Sequence, residues 1–254
     1  MDFQLESVDR CPLCGDTERK EFRHVTHLNH EWNYVQCRCG MVYQRERMSN
    51  EFLIKYYEDE YRTEGTGVNV PDKQMAKRRE IAFETFRAQH QVDLIAAVWR
   101  KPLIKHLDIG CAAGRLIFEV GWRWKGIIAM GVEPNDDYRS LCRLNGLEVV
   151  PALKDVDDKN FDLITISHTL EHVPGPVFFL KEAKALAAVG ALIFIEVPNV
   201  HHKHGLLAHH PVAFSEITLG RACHEAGIDA KKVMRTNLPH QQDADLNIVF
   251  FGVA

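Results

Sequence analysis

No apolar run in this 254-residue chain approaches the ~18 residues that a membrane-spanning helix requires. Nor is there an excess of basic charge: 31 Lys and Arg stand against 35 Asp and Glu, a formal net of −4. Nucleic-acid binders draw much of their affinity from neutralising phosphates, so this balance argues against such a partner. The deficit is concentrated at one end. Residues 1–70 hold nine Lys and Arg against thirteen Asp and Glu, whereas the remainder holds 22 of each. Internal repeats and low-complexity tracts are missing too, and the polar, acidic opening Met1–Arg10 does not read as a secretory signal. A cytoplasmic protein with no membrane partner is the expectation. Hydrophobic residues at 46% and charged residues at 26% exclude wholesale disorder.

Seven cysteines are an odd number, and four of them cluster as Cys11, Cys14, Cys37 and Cys39. In a cytosolic chain that pattern points to a metal rather than to disulfides. The pair Cys11-Pro-Leu-Cys14-Gly15 has the spacing of a zinc knuckle, and four thiolates complete a closed tetrahedral site. The second pair, Cys37-Arg38-Cys39-Gly40, is one residue shorter, which leaves open whether Cys39 or one of His24, His27 and His30 supplies the fourth ligand. Cys111, Cys142 and Cys223 read as small buried thiols.

Three zones follow along the chain. Residues 1–45 carry the cysteine pairs and β-like runs such as 32–36, and form an expected zinc-binding ribbon. Residues 46–100 read as a mostly helical connecting region, interrupted by the turn-rich stretch 63–71 (TEGTGVNVP). Within it, Ile81, Phe83, Phe86, Leu94 and Val98 recur at helical spacing as expected core contacts. Residues 101–254 alternate strands and helices. The runs 104–109, 126–132, 161–166 and 191–197 read as buried parallel strands, and 113–122, 136–145 and 176–188 as helices. The prediction is an α/β fold, a doubly wound Rossmann-like sheet with its ligand site at the strand C-termini. An antiparallel edge hairpin is expected from 231–235 and 245–253.

The strand 104–109 runs into Asp108-Ile109-Gly110-Cys111-Ala112-Ala113-Gly114-Arg115, and a helix follows at once. Small residues let the backbone approach a ligand, and amides at a helix start favour an anionic group. Glu133 closes the next strand, where an acid can accept both hydroxyls of a ribose. A bare strand–helix turn and an NAD site are the competing readings; GxGxxG is absent, and the chain is short for a second catalytic domain. Taken in order, LDIGCAAGRL, GVEPN, FDLITISHTLEHVPGP and ALIFIEVPN resemble class I S-adenosylmethionine-dependent methyltransferases over about Leu107 to Asn199. The resemblance implies that Asp108, Gly110 and Gly114 shape the methionine end and that Glu133 holds the ribose. Cys111, Ala112 and Pro134 would line the same site, with the adenine near Ala152 and Leu153. Ala112 departs from the family, in which a glycine is common there.

CPLCG, CRCGMVY and FLIKYYEDEYR together resemble a group of methyltransferases with an N-terminal zinc ribbon, among them the deoxysugar C-methyltransferases. That resemblance implies a sugar or other small molecule as acceptor, and a ribbon that either binds substrate or only stabilises the fold.

Methyl transfer to oxygen or carbon needs alignment of the acceptor and a base for its proton. Ser167-His168-Thr169-Leu170-Glu171-His172 leaves the end of strand 161–166, with Ser167 and His168 nearest the expected cofactor. His172 is the first choice of base, Glu171 its partner; the same residues serve equally well as a loop that lines the cofactor pocket. Glu196 and Asn199 are further candidates to face the acceptor. The histidine-rich stretch 201–211 resembles the group's substrate-covering loop, with His210 in the place of that loop's histidine, and reads as a mobile, solvated lid. The function read from the chain is a methyltransferase using S-adenosylmethionine and zinc, acting on a small-molecule acceptor such as a nucleotide sugar. An RNA methyltransferase, or a non-catalytic cofactor-binding partner protein, is the alternative.

Overall fold

The computed structural model describes residues 3–56, 73–237 and 246–254. The turn-rich stretch 63–71 and the tyrosine-rich run beyond Tyr56 lie outside the described residues, as does the side chain of Ile81. The fold is α/β, with a mostly parallel sheet and a separate antiparallel sheet. By contacts the chain divides into two units, one of Met1–Leu53, Ile166–Leu186 and Ile193–Ala254, the other of Ile54–Thr165 and Ala187–Leu192.

In the first unit, β1 (Leu5–Ser7), β2 (Arg19–His27), β3 (His30–Cys37), β4 (Val42–Gln44) and β5 (Glu46–Met48) occupy the N-terminal segment. β2 and β3 form a hairpin whose two turn residues, Leu28 and Asn29, have φ of 55° and 57°. That is the primed turn that matches strand twist. In the second unit, β6 (Lys105–Ile109), β7 (Ile128–Val132) and β8 (Glu148–Val150) run parallel in that order. β9 (Phe161–Ser167) lies beside β6. β9 and the next strand, β10 (Ala187–Pro198), each contribute residues to both units. Back in the first unit, β11 (Val212–Ala213) pairs antiparallel with β4, extending the N-terminal sheet to β11-β4-β3-β2. The expected edge hairpin is present as β12 (Asp229–Thr236) with β13 (Asn247–Val253), and β13 is followed in the sheet by β10.

The apolar periodicities explain most of this. Strands β9 and β13 are buried almost throughout, and β10 from Ala191 onward, as runs covered on both faces must be. The helix Arg115–Arg123 buries Leu116, Ile117 and Val120, the spacing of one helical face. Two expectations need correction. The helix predicted to reach residue 188 ends at Lys184, because β10 begins at Ala187 and takes the following backbone groups into the sheet. In the helix Lys73–Val98, Phe83 and Phe86 are 46% and 37% exposed, whereas Ala88, Val92 and Ile95 are buried and Leu94 and Val98 half-buried. At 100° per residue the two phenylalanines point about 140° and 160° away from Ala88, off the buried face.

Candidate functional site

The second unit holds the glycine loop. After β6 the chain passes through Gly110 (φ 80°), Ala112 (φ 46°) and Gly114 (φ 73°), and Gly114 caps the helix Arg115–Arg123 without a side chain. A Cβ on Gly114 would meet the Cδ1 methyl of Leu147, which a leucine side chain can move, so it is the left-handed φ that calls for glycine. Ala112 carries the left-handed backbone that a glycine would take at no cost; for an L-residue the penalty is about 1–2 kcal/mol. Its amide is held by Glu133, whose Oε2 accepts at 2.9 Å, while Oε1 accepts from the Asn135 amide at 2.9 Å. Glu133 is buried at the end of β7.

Asp108, on β6, is buried and accepts from Thr165 Oγ1 at 2.7 Å. Burial pushes its carboxyl up to about 7, against the opposing effect of the Thr165 hydrogen bond. Thr165 Oγ1 also lies 2.8 Å from His106 Nε2. With the hydroxyl proton given to Asp108, the imidazole donates through Nε2–H. Burial lowers His106 to about 3, so it stays neutral. Cys111 packs against Gly131, where a Cβ would sit 2.5 Å from its Sγ, and Cys142 Sγ donates to Ala112 O at 3.2 Å. Pro134 is exposed after β7, and Ala152 and Leu153 are half-buried after β8. The loop residues named from the sequence thus gather in the second unit, while Ser167 and His168 belong to the first. The set fits S-adenosylmethionine: glycine backbone at a helix start, a cradle that side chains would fill, and a buried acid at the neighbouring strand end.

In the first unit, His168 follows β9 with φ 49°. Its Nδ1 lies 3.5 Å from Glu171 Oε1 and its Nε2 4.0 Å from Glu196 Oε2. Glu196 is fully buried on β10; it accepts from Asn247 Nδ2 at 2.9 Å and from Ser167 Oγ at 3.4 Å. His172 Nε2 approaches the same Glu171 oxygen at 3.8 Å, and its Nδ1 donates to His209 O at 3.0 Å. Asn199 Oδ1 accepts from the amide of His201.

The expected solvated lid is solvated only in its first half, where His201 and His204 are exposed; the second half is buried. Leu206, Ala208, His209 and His210 are all nearly inaccessible. The cause is a clamp from the N-terminal sheet that sequence reasoning missed. Tyr34 Oη lies 2.7 Å from Leu207 O and 2.8 Å from His210 O, and Gln44 Nε2 donates to Ala208 O at 3.0 Å. The β11–β4 pairing closes the same contact. Nothing local marked Tyr34 or Gln44, since their partners lie more than 160 residues away. Burial and the neighbouring histidines push His209 and His210 well below the ordinary imidazole value.

Also in this unit, Cys11 Sγ lies 3.6 Å from Cys39 Sγ and Cys14 Sγ 3.5 Å from Cys37 Sγ, with all four sulfurs within 4.8 Å of one another. Tetrahedral zinc with Zn–S of about 2.3 Å places sulfurs about 3.7 Å apart, so the donor set fits. Gly15 (φ 75°) and Gly40 (φ 92°) turn the two knuckles back onto Cys11 O and Cys37 O. Burial raises the thiol of Cys11 above the ordinary range and that of Cys39 to about 11. A bound cation would reverse both shifts. The histidines considered as alternative ligands are engaged elsewhere. His24 faces Glu21, His27 Nδ1 accepts from the Ala208 amide, and His30 packs on Phe3 and Trp32.

Strand order, glycine loop and strand-end acid define an S-adenosylmethionine-dependent methyltransferase. The family described as Methyltransferase domain matches residues 76–231, and the chain belongs to it. The chain is 24% identical over 163 residues to a ubiquinone biosynthesis O-methyltransferase of Leptothrix cholodnii, covering 55% of this chain and 68% of that protein. A second such enzyme, from Hahella chejuensis, is 27% identical over 59% of this chain and 69% of its own length. These relatives are O-methyltransferases and not the deoxysugar C-methyltransferases towards which the motif resemblance pointed. An Archaeoglobus fulgidus SAM-dependent methyltransferase superimposes with a TM-score of 0.56 at 19% identity, over 72% of this chain and all of that one, a likeness of fold. Among the described residues no helix is long and apolar enough to cross a membrane.

Proposed function

We propose that this methyltransferase modifies a hydroxyl of a small-molecule acceptor, and that His168 takes the acceptor proton. The observation that carries this is His168 held between the carboxylates of Glu171 and Glu196. When bound, S-adenosylmethionine supplies an electrophilic methyl group on a sulfonium. The chain's own part is to hold that group, to orient the acceptor and to receive a proton. Asp108, Gly110, Cys111, Ala112, Gly114, Glu133 and Pro134 hold the methionine and ribose end, and Ala152 and Leu153 take the adenine. Glu171 orients the ring from its Nδ1 edge, and the imidazolium formed when His168 takes a proton is stabilised by two nearby carboxylates. The left-handed backbone at His168 is the kind of strain that functional positions carry. His172, the base expected from the sequence, has its Nδ1 proton committed to His209 O and its Nε2 beside Glu171, and is placed with His210 on the acceptor side.

Oxygen as the accepting atom is supported by the relatives' O-methyltransferase chemistry. A nucleotide sugar as acceptor is supported by the ribbon motifs CPLCG and CRCGMVY. Zinc on Cys11, Cys14, Cys37 and Cys39 locks the module 1–45, with 46–100 as connection and 101–254 as the cofactor-binding domain. The acidic balance of residues 1–70 opposes an RNA acceptor.

The test is transfer from cofactor carrying a radiolabelled methyl group. The protein is offered, separately, total RNA, nucleotide sugars, and hydroxylated aromatic precursors of quinones. Label in either small-molecule fraction is the expected result, and label in RNA alone overturns the reading.

A further inference from the structure

The first unit contains a second cluster of metal-ligating side chains. His172, His209 and His210 each place one ring nitrogen within 4.8 Å of the others. Their rings pack as a compact triad: His172 stacks on His209 at 5.4 Å between centroids, and His210 meets each of the other two edge-on at 4.8 Å. Three imidazoles packed together and largely removed from water are an expensive arrangement, since each carries a polar edge that burial strips of solvent. Two of them are oriented as metal-bound histidines are. His172 Nδ1 donates to His209 O at 3.0 Å, and His210 Nδ1 to Gly205 O at 3.3 Å. A carbonyl accepts only, so in both rings the proton sits on Nδ1 and the lone pair on Nε2.

We propose that His172, His209 and His210 form a three-histidine site for a divalent transition-metal ion such as zinc. Neutral imidazoles suit zinc, cobalt, iron and copper in preference to the hard cations magnesium and calcium. Zn–N bonds of about 2.0–2.1 Å place tetrahedral nitrogens about 3.3–3.4 Å apart. Closing from at most 4.8 Å takes only small rotations of the rings. Glu171, with Oε1 3.8 Å from His172 Nε2, puts a negative charge beside the cation.

The tertiary structure builds this triad. The clamp from Tyr34 and Gln44 on the backbone of Leu207, Ala208 and His210 brings the adjacent pair to His172 and fixes its geometry. Three protein ligands leave a fourth coordination position, the arrangement of a site that takes a further ligand rather than a purely structural one. Resting on the reading given under Proposed function, that ligand is an oxygen of the acceptor, which the cation would orient towards His168. The site therefore favours acceptors with two neighbouring oxygens, one to bind the cation and one to receive the methyl group.

Metal content separates this proposal from the activity. The full-length protein, stripped of metal and reconstituted with zinc, is expected to hold two equivalents per chain by atomic emission. Cys11→Ser/Cys14→Ser is expected to hold one equivalent, and His209→Gln/His210→Gln also one. Reconstitution with cobalt gives a second readout on the wild-type protein, without dependence on how any variant folds. A four-thiolate site gives intense sulfur-to-cobalt charge-transfer bands. A three-histidine site adds weaker visible bands that remain when the thiolate bands are subtracted, and that shift when a vicinal diol or catechol is added. One equivalent in the wild-type protein, or two retained in the His209/His210 variant, overturns the site. Two equivalents with no spectral response to diol or catechol overturns the acceptor role alone. A failed methylation assay with two equivalents bound would overturn the Proposed function and leave the metal site standing.

Discussion

Glu133 Oε2 accepts the backbone amide of Ala112 at 2.9 Å, so the acid expected to hold a ribose also fastens the loop that faces it. The two roles share one carboxylate. Its other oxygen accepts the Asn135 amide, and Asn135 caps the helix Asp136–Leu144 through its own side chain. One acid thereby links the cofactor loop to the start of the next helix.

Replacing Glu133 with Gln keeps the shape and removes the charge. A charge-assisted hydrogen bond contributes about 1.5–3 kcal/mol, so affinity for S-adenosylhomocysteine is expected to fall about 10- to 100-fold by titration calorimetry. A loss smaller than threefold would show that Glu133 serves the loop and not the ligand.

Gly114→Ala should be more severe than its single methyl group implies. The added Cβ meets Leu147 and must adopt φ 73°. Left-handed strain, with a small repacking of Leu147, should cost about 1–3 kcal/mol of stability, read as a lowered denaturation midpoint. Ala112→Gly is the converse case: it relieves φ 46°, and ligand affinity is expected to change by less than about threefold, the loop strain being of order 1 kcal/mol.

Asp108 gives a pH signature with a definite sign. Burial raises its carboxyl to about 7 from an ordinary 3.8. Between those values the folded chain holds a proton that the unfolded chain has released. Asp108 therefore makes stability fall as pH rises from about 4 to about 7, after which its effect is constant. His106, lowered to about 3 by burial, acts with the opposite sign below its ordinary value. Because His106 is common to both proteins, subtracting the melting profile of Asp108→Asn isolates the aspartate. The wild-type midpoint should drop relative to the variant across that window, and a flat difference would mean Asp108 is ionised throughout.

His168→Ala is expected to lower turnover by about 10²- to 10⁴-fold, the usual contribution of a general base, while S-adenosylhomocysteine binding stays within twofold. Unchanged turnover would remove His168 as the proton acceptor. Asn247→Ala removes one hydrogen bond to Glu196 and should reduce turnover more modestly while shifting its pH profile.

Chelation of the ribbon metal should lower the melting temperature of the whole chain. Cys11 and Cys37 are buried, and the carbonyl of Cys39 accepts from Arg221 at 3.0 Å, so loosening the knuckles disturbs more than residues 1–45. A melt unchanged by chelator would mean that the four sulfurs hold no structural metal.

How far the residues could be read in advance follows from how far apart their partners lie. Asp108, Gly110, Gly114 and Glu133 were legible because strand, glycine turn and strand-end acid recur within 26 positions along the chain. The clustering of Cys11, Cys14, Cys37 and Cys39 was legible for the same reason, each pair sitting in a local turn closed by one left-handed glycine. Phe83 and Phe86 misled because their helical spacing was right while the buried face, set by Ala88, Val92 and Ile95, was decided by packing. The second half of the 201–211 segment misled more fully. Histidine-rich and polar, it resembles an exposed loop, and nothing within it announces Tyr34 or Gln44.

The sequence by itself determined that this is an α/β methyltransferase with a glycine loop, a strand-end acid and four clustered thiols. Those features depend on backbone torsions and short-range spacing, which residue type dictates directly. Tertiary structure alone decided that His209 and His210 are buried beside His172, and that Glu196 reaches Asn247. Each of these contacts joins segments distant along the chain, and burial supplies the loss of solvent that changes a side chain's chemistry. A histidine in a polar stretch reads as solvated until a tyrosine from a strand far away in the chain fixes its backbone and removes the water.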